Sequence, residues 1–424
     1  MNANALVAML LAMHAGGADQ PWTEQYPSEA AAMNKACLAK DYAACRGHLL
    51  NLEKLLDGRA DIEYRLAKVE ANLGHKDAAL EKLTLFAKSG LTFADPEAEP
   101  AFAELKKMPE FGKAVAMVTA ARKPVSRSTT FLTLTQPDLI AEDIAYDATA
   151  GKFYLSSVRH RKIISIDRSG RAADFVPEGQ PDVWAILALG VDAKRRILWA
   201  ATAALPETIG YRKEDEGRSA LLKYSLDTGA LLKRYDLDRD AKHALGDMTV
   251  SKTGDVYVSD GQGAVYWLDH SKDALEILAG KGEFRSPQTP VLSADERKLL
   301  VPDYTRGISI IDLDTRRVKL LEHPPELSLG GIDGMYLSDR TLFAIQNGTV
   351  PERVIRMTLD APLGRVTDWE IIEANWPGLG DPTHGVVAGD KFYFIANSGW
   401  DRMAEDGSVK PGARFEPATI RQLR

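Results

Sequence analysis

From Pro27 to about Ala121, apolar residues recur at three- and four-residue spacing among Ala, Leu, Glu and Lys, with hardly any strand-like alternation. This predicts an all-α region. Asp61 to Leu83 reads as a helix, a tight turn at Gly74 and a second helix, and small Ala67, Ala71 and Ala79 let the two approach closely. Residues 29–56 are a looser copy, and a third unit, AFAELKKMPEFGKAVAMV, follows a Pro- and Glu-rich joint at 94–100. After Arg122-Lys123-Pro124-Val125-Ser126 the pattern changes to short strands separated by Gly, Asp and Asn turns, and it stays so to the C-terminus.

Within that second region one module recurs: an apolar strand, a polar turn, a second short strand, a loop, and a third strand often ending in Asp. It starts at Glu142, Ala188, Gly246, Gln288, Asp333 and Thr383. The middles of the second strands fall at Tyr154, Leu198, Tyr257, Leu300, Phe343 and Tyr393, at intervals of 43 to 59 residues. That spacing is one four-stranded blade per interval, so six copies predict a six-bladed β-propeller. The widest interval holds the polar stretch Pro206 to Arg218, a long loop over one face. TTFLTL near Thr129 and ATIRQL near Ala418 are strand-like and flank the copies, so pairing them closes the ring and removes an exposed edge. The fold class is therefore α+β multidomain, with helical repeats at 22–122 and an all-β propeller at 128–424.

A chain of 424 residues has room for both units. A net charge of −7 supplies no cationic field for a phosphate backbone, which excludes nucleic acid as a partner. The apolar run Ala5 to Met13, followed by Ala15-Gly16-Gly17-Ala18, reads as a signal peptide (1–18) cut after Ala18, although its first residues carry no Lys or Arg. No other run approaches the roughly 18 apolar residues that span a bilayer. An exported, periplasmic or secreted protein is expected. Cys37 and Cys45 flank the turn Lys40-Asp41-Tyr42, and either a disulfide or two buried thiols fits that spacing.

The helical units resemble tetratricopeptide repeats, which implies a peptide or protein partner for that domain. The six strand modules, the opening Glu142-Asp143-Ile144-Ala145-Tyr146-Asp147 and the opening Asp333-Gly334-Met335 resemble propellers of the SMP-30/gluconolactonase/paraoxonase type. The resemblance implies a divalent ion on the axis, Ca²⁺ before Zn²⁺ or Mn²⁺, held by side chains from the starts of the innermost strands. Aligned by blade, Glu142 and Asp333 match the two carboxylates, Gln288 stands where an amide is usual, and Gly246 departs from the pattern, so that either Asp247 takes its place or that ligand is missing. A water-filled polar axis without metal is the other reading of the same residues. The implied activity is hydrolysis of a lactone or related ester, with His384, in Asp381-Pro382-Thr383-His384-Gly385, as first candidate for the base and Asp247 as second.

Asn347 and Asn397 end second strands, where they either cap turns or line a substrate mouth. Trp184 and Trp400, in loops beside inner-strand ends, either stack on substrate or pin loops. His160, His243, His270 and His323 have no metal-ligand spacing and read as surface or turn residues. No Walker loop, dinucleotide fingerprint or G-x-S-x-G elbow is present, which disfavours nucleotide binding and serine-hydrolase chemistry. The alternative to a metal-dependent hydrolase is an exported, non-enzymatic binding or scaffold protein that uses the propeller and helical repeats as interaction surfaces.

Overall fold

The computed structural model describes residues 20–424; the expected signal peptide lies outside the described residues. Five α-helices come first: α1 (Trp22–Leu38), α2 (Tyr42–Leu55), α3 (Ala60–Asn72), α4 (Lys76–Lys88) and α5 (Pro109–Ala121). None of the described helices is long and apolar enough to cross a membrane.

The side chain of Asp41 caps α2 by accepting from the Ala44 amide at 3.0 Å. Just before it, a disulfide joins Cys37 to Cys45 with 5.1 Å between Cα atoms. Gly74 turns the chain between α3 and α4 at φ 80°, a conformation open to glycine. The close packing expected there is present, since Ala67 and Ala79 are fully buried beside Leu83, Phe86 and Phe102. The third hairpin differs from its sequence pattern. Pro100 and Pro109 each start a new element, so its first arm is two single-turn 3₁₀ helices, Pro100–Phe102 and Leu105–Lys107, and only α5 is a full helix.

The remainder is a six-bladed β-propeller. All six landmark residues lie in second strands, and each blade is an antiparallel four-stranded sheet. The inner strands are Ala141–Asp147, Ala185–Asp192, Leu245–Val250, Val291–Leu292, Met335–Ser338 and Gly385–Ala388. Each touches the next around the ring, and the sixth returns to the first. Blade six takes its outermost strand, Thr129–Thr133, from before blade one and pairs it with Thr419–Leu423, as the flanking strand patterns predict. Val125–Ser126, just before the expected start at residue 128, adds a fifth strand to blade five. Apolar residues from neighbouring blades interleave into separate cores, such as Tyr154, Ile163, Leu198 and Leu222 between blades one and two.

The helical region packs on the face where the inner strands begin, against loops of blades three to five. The Trp22 indole donates to the Glu283 carbonyl at 3.0 Å, the Thr92 amide to the Val350 carbonyl at 2.7 Å, and Arg353 Nη1 to the Ser89 carbonyl at 2.6 Å. His323 was expected at the surface, yet its side chain is only 6% exposed because Nε2 pairs with Asp57 at 3.1 Å across the interface. Burial alone would lower its pKa, but the bond to Asp57 and that residue's charge outweigh burial and hold it above the ordinary value. A raised folded-state pKa contributes stability that is complete below about pH 6.5 and is lost as pH rises through the folded value. His323→Gln should therefore cost about 1 kcal/mol at pH 6 and much less at pH 9. Thermal melts of both proteins across that range check this, and a pH-independent difference would contradict it.

Candidate functional site

In a closed propeller the starts of all inner strands converge on one axis, so the residue types placed there meet. Here they are mostly acids. Glu142 and Asp143 come from blade one, Asp247 from blade three, Thr289 from blade four, Asp333 from blade five and His384 from blade six. His384 is 2% exposed, and its Nε2 lies 2.6 Å from Asp247 Oδ1 and 3.9 Å from Asp333 Oδ1. The ring is not aligned for a hydrogen bond to either carboxylate, and both of its nitrogens lack a hydrogen-bond partner. Thr289 Oγ1 lies 2.9 Å from Asp247 Oδ1 and 3.0 Å from the Asp333 carbonyl, and ties the two blades together. Asn347 Nδ2 donates to Asp333 Oδ2 at 2.6 Å, and the Trp400 indole donates to Glu142.

Asp143 has a different task. Its Oδ1 accepts from the Ile144 amide at 2.7 Å and its Oδ2 from the Leu189 amide at 2.6 Å, so it ties blade one to blade two. Below the cluster a cavity of about 220 Å³ continues along the axis from Asp143, Asp247 and Tyr336 to Tyr146, Val191 and Val250 at the far ends of the inner strands.

The electrostatics follow from gathering four carboxylates about one imidazole away from water. Burial pushes Glu142 well above the carboxylate range, and the charges of Asp333 and Asp247 add to this against the pull of His384. Burial likewise raises Asp143 to about 7 and Asp333 to about 6, with Asp247 adding to both. For His384, burial favours the neutral ring, but Asp247, followed by Asp333 and Asp143, drives its pKa well upward.

The expected site residues divide into two groups. Asp247, His384, Asp333 and Asn347 come together, and Glu142, held by the Trp400 indole, lies near enough to feel their charges. Gln288 does not face the cluster: its amide donates to Ser286 Oγ at 2.9 Å, and Thr289, one position on, takes the place beside the acids. Strand alternation explains the correction, because the residue after the aligned one faces the axis in blades three, four and six. Asn397 caps its own turn, donating to the Pro417 carbonyl at 3.1 Å and accepting from the Thr419 amide at 2.8 Å. Trp184 is 5% exposed and sandwiched between the guanidinium groups of Arg218 and Arg234, 4.6 and 4.8 Å from the ring centre, so it has no free face for a ligand. Trp400 meets the site through its N–H, and Asn347 through Asp333, rather than as stacking or mouth residues.

Sequence reasoning passed over Asp143, Thr289 and Tyr336 as site residues. Carrying the one-position offset of Asp247 and His384 over to blade four would have found Thr289. Tyr336 carried no such signal; its hydroxyl accepts from the Gly385 amide at 2.7 Å and walls the cavity. Two more histidines expected at the surface are largely buried: His160 pairs with Asp138 and Glu178, at 3.0 and 2.9 Å, and His243 with Asp260 at 2.6 Å. In the group Asp255, Asp269 and His270 the carboxylates accept from backbone amides, Asp255 from His270 across a β-hairpin and Asp269 from Ser271 in its own turn.

No protein-family model matches the chain, and no curated protein matches it. Among solved structures, virginiamycin B lyase from Staphylococcus aureus is 14% identical over 69% of this chain and 98% of its own, with a TM-score of 0.45. A luciferin-regenerating enzyme is 10% identical over 71% of this chain and 95% of its own, at 0.48. A chain of the nidogen/laminin complex is 14% identical over 56% of this chain and 82% of its own, at 0.43. At such identities the likeness concerns the fold alone.

Raised pKa values at Asp143 and Asp333 mean that the folded state holds protons the unfolded chain has released, so stability falls as pH rises from about 4 to about 7; His384 extends the fall upward. Protein kept in excess chelator should melt several degrees lower at pH 8 than at pH 5. Asp333→Asn should flatten that slope, and a slope unchanged in the variant would show that the axis does not carry the strain.

Proposed function

We propose that this chain is a divalent-metal-dependent hydrolase of a lactone or related ester, with its centre on the propeller axis. The observation that carries the reading is the surplus of buried carboxylates at the inner-strand starts, beside an imidazole whose two nitrogens have no hydrogen-bond partner. Buried charge of one sign is costly unless it is paired or holds a metal. Glu142, Asp247 and Asp333 supply oxygen donors from three blades, a set that suits Ca²⁺ or Mn²⁺, and the nearby imidazole extends the fit to Zn²⁺. The resemblance of the blade openings to gluconolactonase-type propellers supports the same assignment.

When bound, such an ion supplies polarisation of a carbonyl oxygen and a lowered pKa for a coordinated water. Glu142, Asp247 and Asp333 would hold it, and the Trp400 and Asn347 N–H groups orient two of these carboxylates. His384 is the proton acceptor. Its ring is drawn to the charged form by unneutralised acids, so once their charge is taken up it returns toward neutral and can accept a proton, with Asp247 at 2.6 Å to stabilise the imidazolium that forms.

Mass spectrometry of the purified protein should find close to one divalent ion per chain, and chelation should lower the melting temperature. Glu142→Gln combined with Asp333→Asn should abolish ion uptake. His384→Gln should keep the ion and lower kcat on a responsive lactone about 10²- to 10⁴-fold. An ion-free protein unaffected by chelator would end this reading and direct attention to partner capture by the helical repeats.

A further inference from the structure

The helical region and the axial acids are joined by a continuous set of contacts. At the N-terminus of α3, Arg59 Nη1 donates to the Thr305 carbonyl at 2.9 Å, and the Ala60 amide donates to Ser328 Oγ at 3.2 Å. The next residue back in the held loop is Tyr304, whose hydroxyl donates to Asn347 Oδ1 at 3.1 Å. Asn347 Nδ2 in turn donates to Asp333 Oδ2. The direction of the relay is set throughout: hydroxyl to carbonyl, then amide N–H to carboxylate, which leaves Asp333 Oδ1 as the oxygen on the His384 side.

The surrounding backbone is shaped for this side chain. The Tyr304 carbonyl accepts from the Gly331 amide at 2.8 Å, and the Gly348 amide donates to the Gly331 carbonyl at 3.2 Å. A Cβ at Gly348 would sit 2.5 Å from the Tyr304 hydroxyl, and one at Gly330 would press on the Arg59 stem at 3.3 Å. Glycine at both positions lets the tyrosine reach Asn347 and lets α3 settle on the loop.

We infer that the helical domain is a working part of the axial site, and that Tyr304 is a positioning residue through which α3 fixes the orientation of Asp333 toward the ion. This rests on the metal reading above. Groups that orient metal-ligating side chains commonly change ion affinity by 10- to 100-fold when removed. Tyr304→Phe keeps the ring against Gly348 and deletes only the hydroxyl. Arg59→Met keeps the stem over Gly330 and deletes the tie to Thr305.

The test is calorimetric titration of the full chain with Mn²⁺ alone, with melting temperature measured in parallel. Tyr304→Phe should raise the Mn²⁺ Kd about 10-fold, and Arg59→Met a smaller, several-fold amount in the same direction. Leu222→Ala opens the core between blades one and two, away from the relay; it should lower the melting temperature while leaving Kd within about twofold of wild type. A Tyr304→Phe protein that binds Mn²⁺ as wild type does overturns the relay and leaves the metal reading standing. A Leu222→Ala protein whose Kd rises as much as that of Tyr304→Phe reduces the relay to general loosening and also overturns it. Wild-type protein that takes up no Mn²⁺, Ca²⁺ or Zn²⁺ overturns both.

Discussion

The structure depends on the convergence of six inner strands on one axis with acids at their starts. The blades are held by apolar cores between neighbours, and ring closure by the pairing of Thr129–Thr133 with Thr419–Leu423 prevents the whole from splaying. Like charges on flexible loops would separate. On strands fixed by cores such as Leu155, Ile164, Ile395 and Ile420 they cannot, so the repulsion is expressed as displaced proton affinities. The acids that remain uncompensated lie where a cation would be bound, while those with other tasks are satisfied. Asp143, for example, spends both oxygens on backbone amides and joins two blades.

Much of this was legible in the chain because period is a local property. The change from helical to alternating spacing near Arg122, six second-strand landmarks and two flanking strand patterns required no tertiary information. The acids at the blade openings were legible too, since Glu142 and Asp333 stand at equivalent places in their repeats and Asp247 one place on. What failed depended on single-residue register and on partners distant in sequence. A one-position shift at Gln288 turns its amide away and brings Thr289 in, and no residue type flags such a shift. Trp184 offered an aromatic face that Arg218 and Arg234, 34 and 50 residues on, cover completely.

The histidines teach the same point. Lacking ligand spacing, they were assigned to the surface, but burial here follows carboxylate partners: Asp57 for His323, Asp260 for His243, Asp138 with Glu178 for His160. His270, paired with Asp255 across a β-hairpin, is the one of the four that stays exposed. The His243 and His160 pairs can be seen only when separate loops of one blade are placed together, and the His323 pair only when the helical region and a blade are.

That placement also bears on why a helical array is joined to this propeller at all. An appended module needs only a linker, yet α1, α3 and the turn after α4 each insert polar contacts into loops that border the axis. Arg353 is fully buried, with its guanidinium bonded to Gln346 and to the Ser89 carbonyl, and burial alone lowers its pKa to about 9. A cation buried in this way without a carboxylate is tolerated only where its hydrogen bonds are needed to set position. The loops so fixed, 304–306 and 347–353, carry the tyrosine and asparagine that reach Asp333. Rigidity on the helical side is thus passed to one oxygen of one carboxylate, and the two regions form a single apparatus for holding charge on the axis.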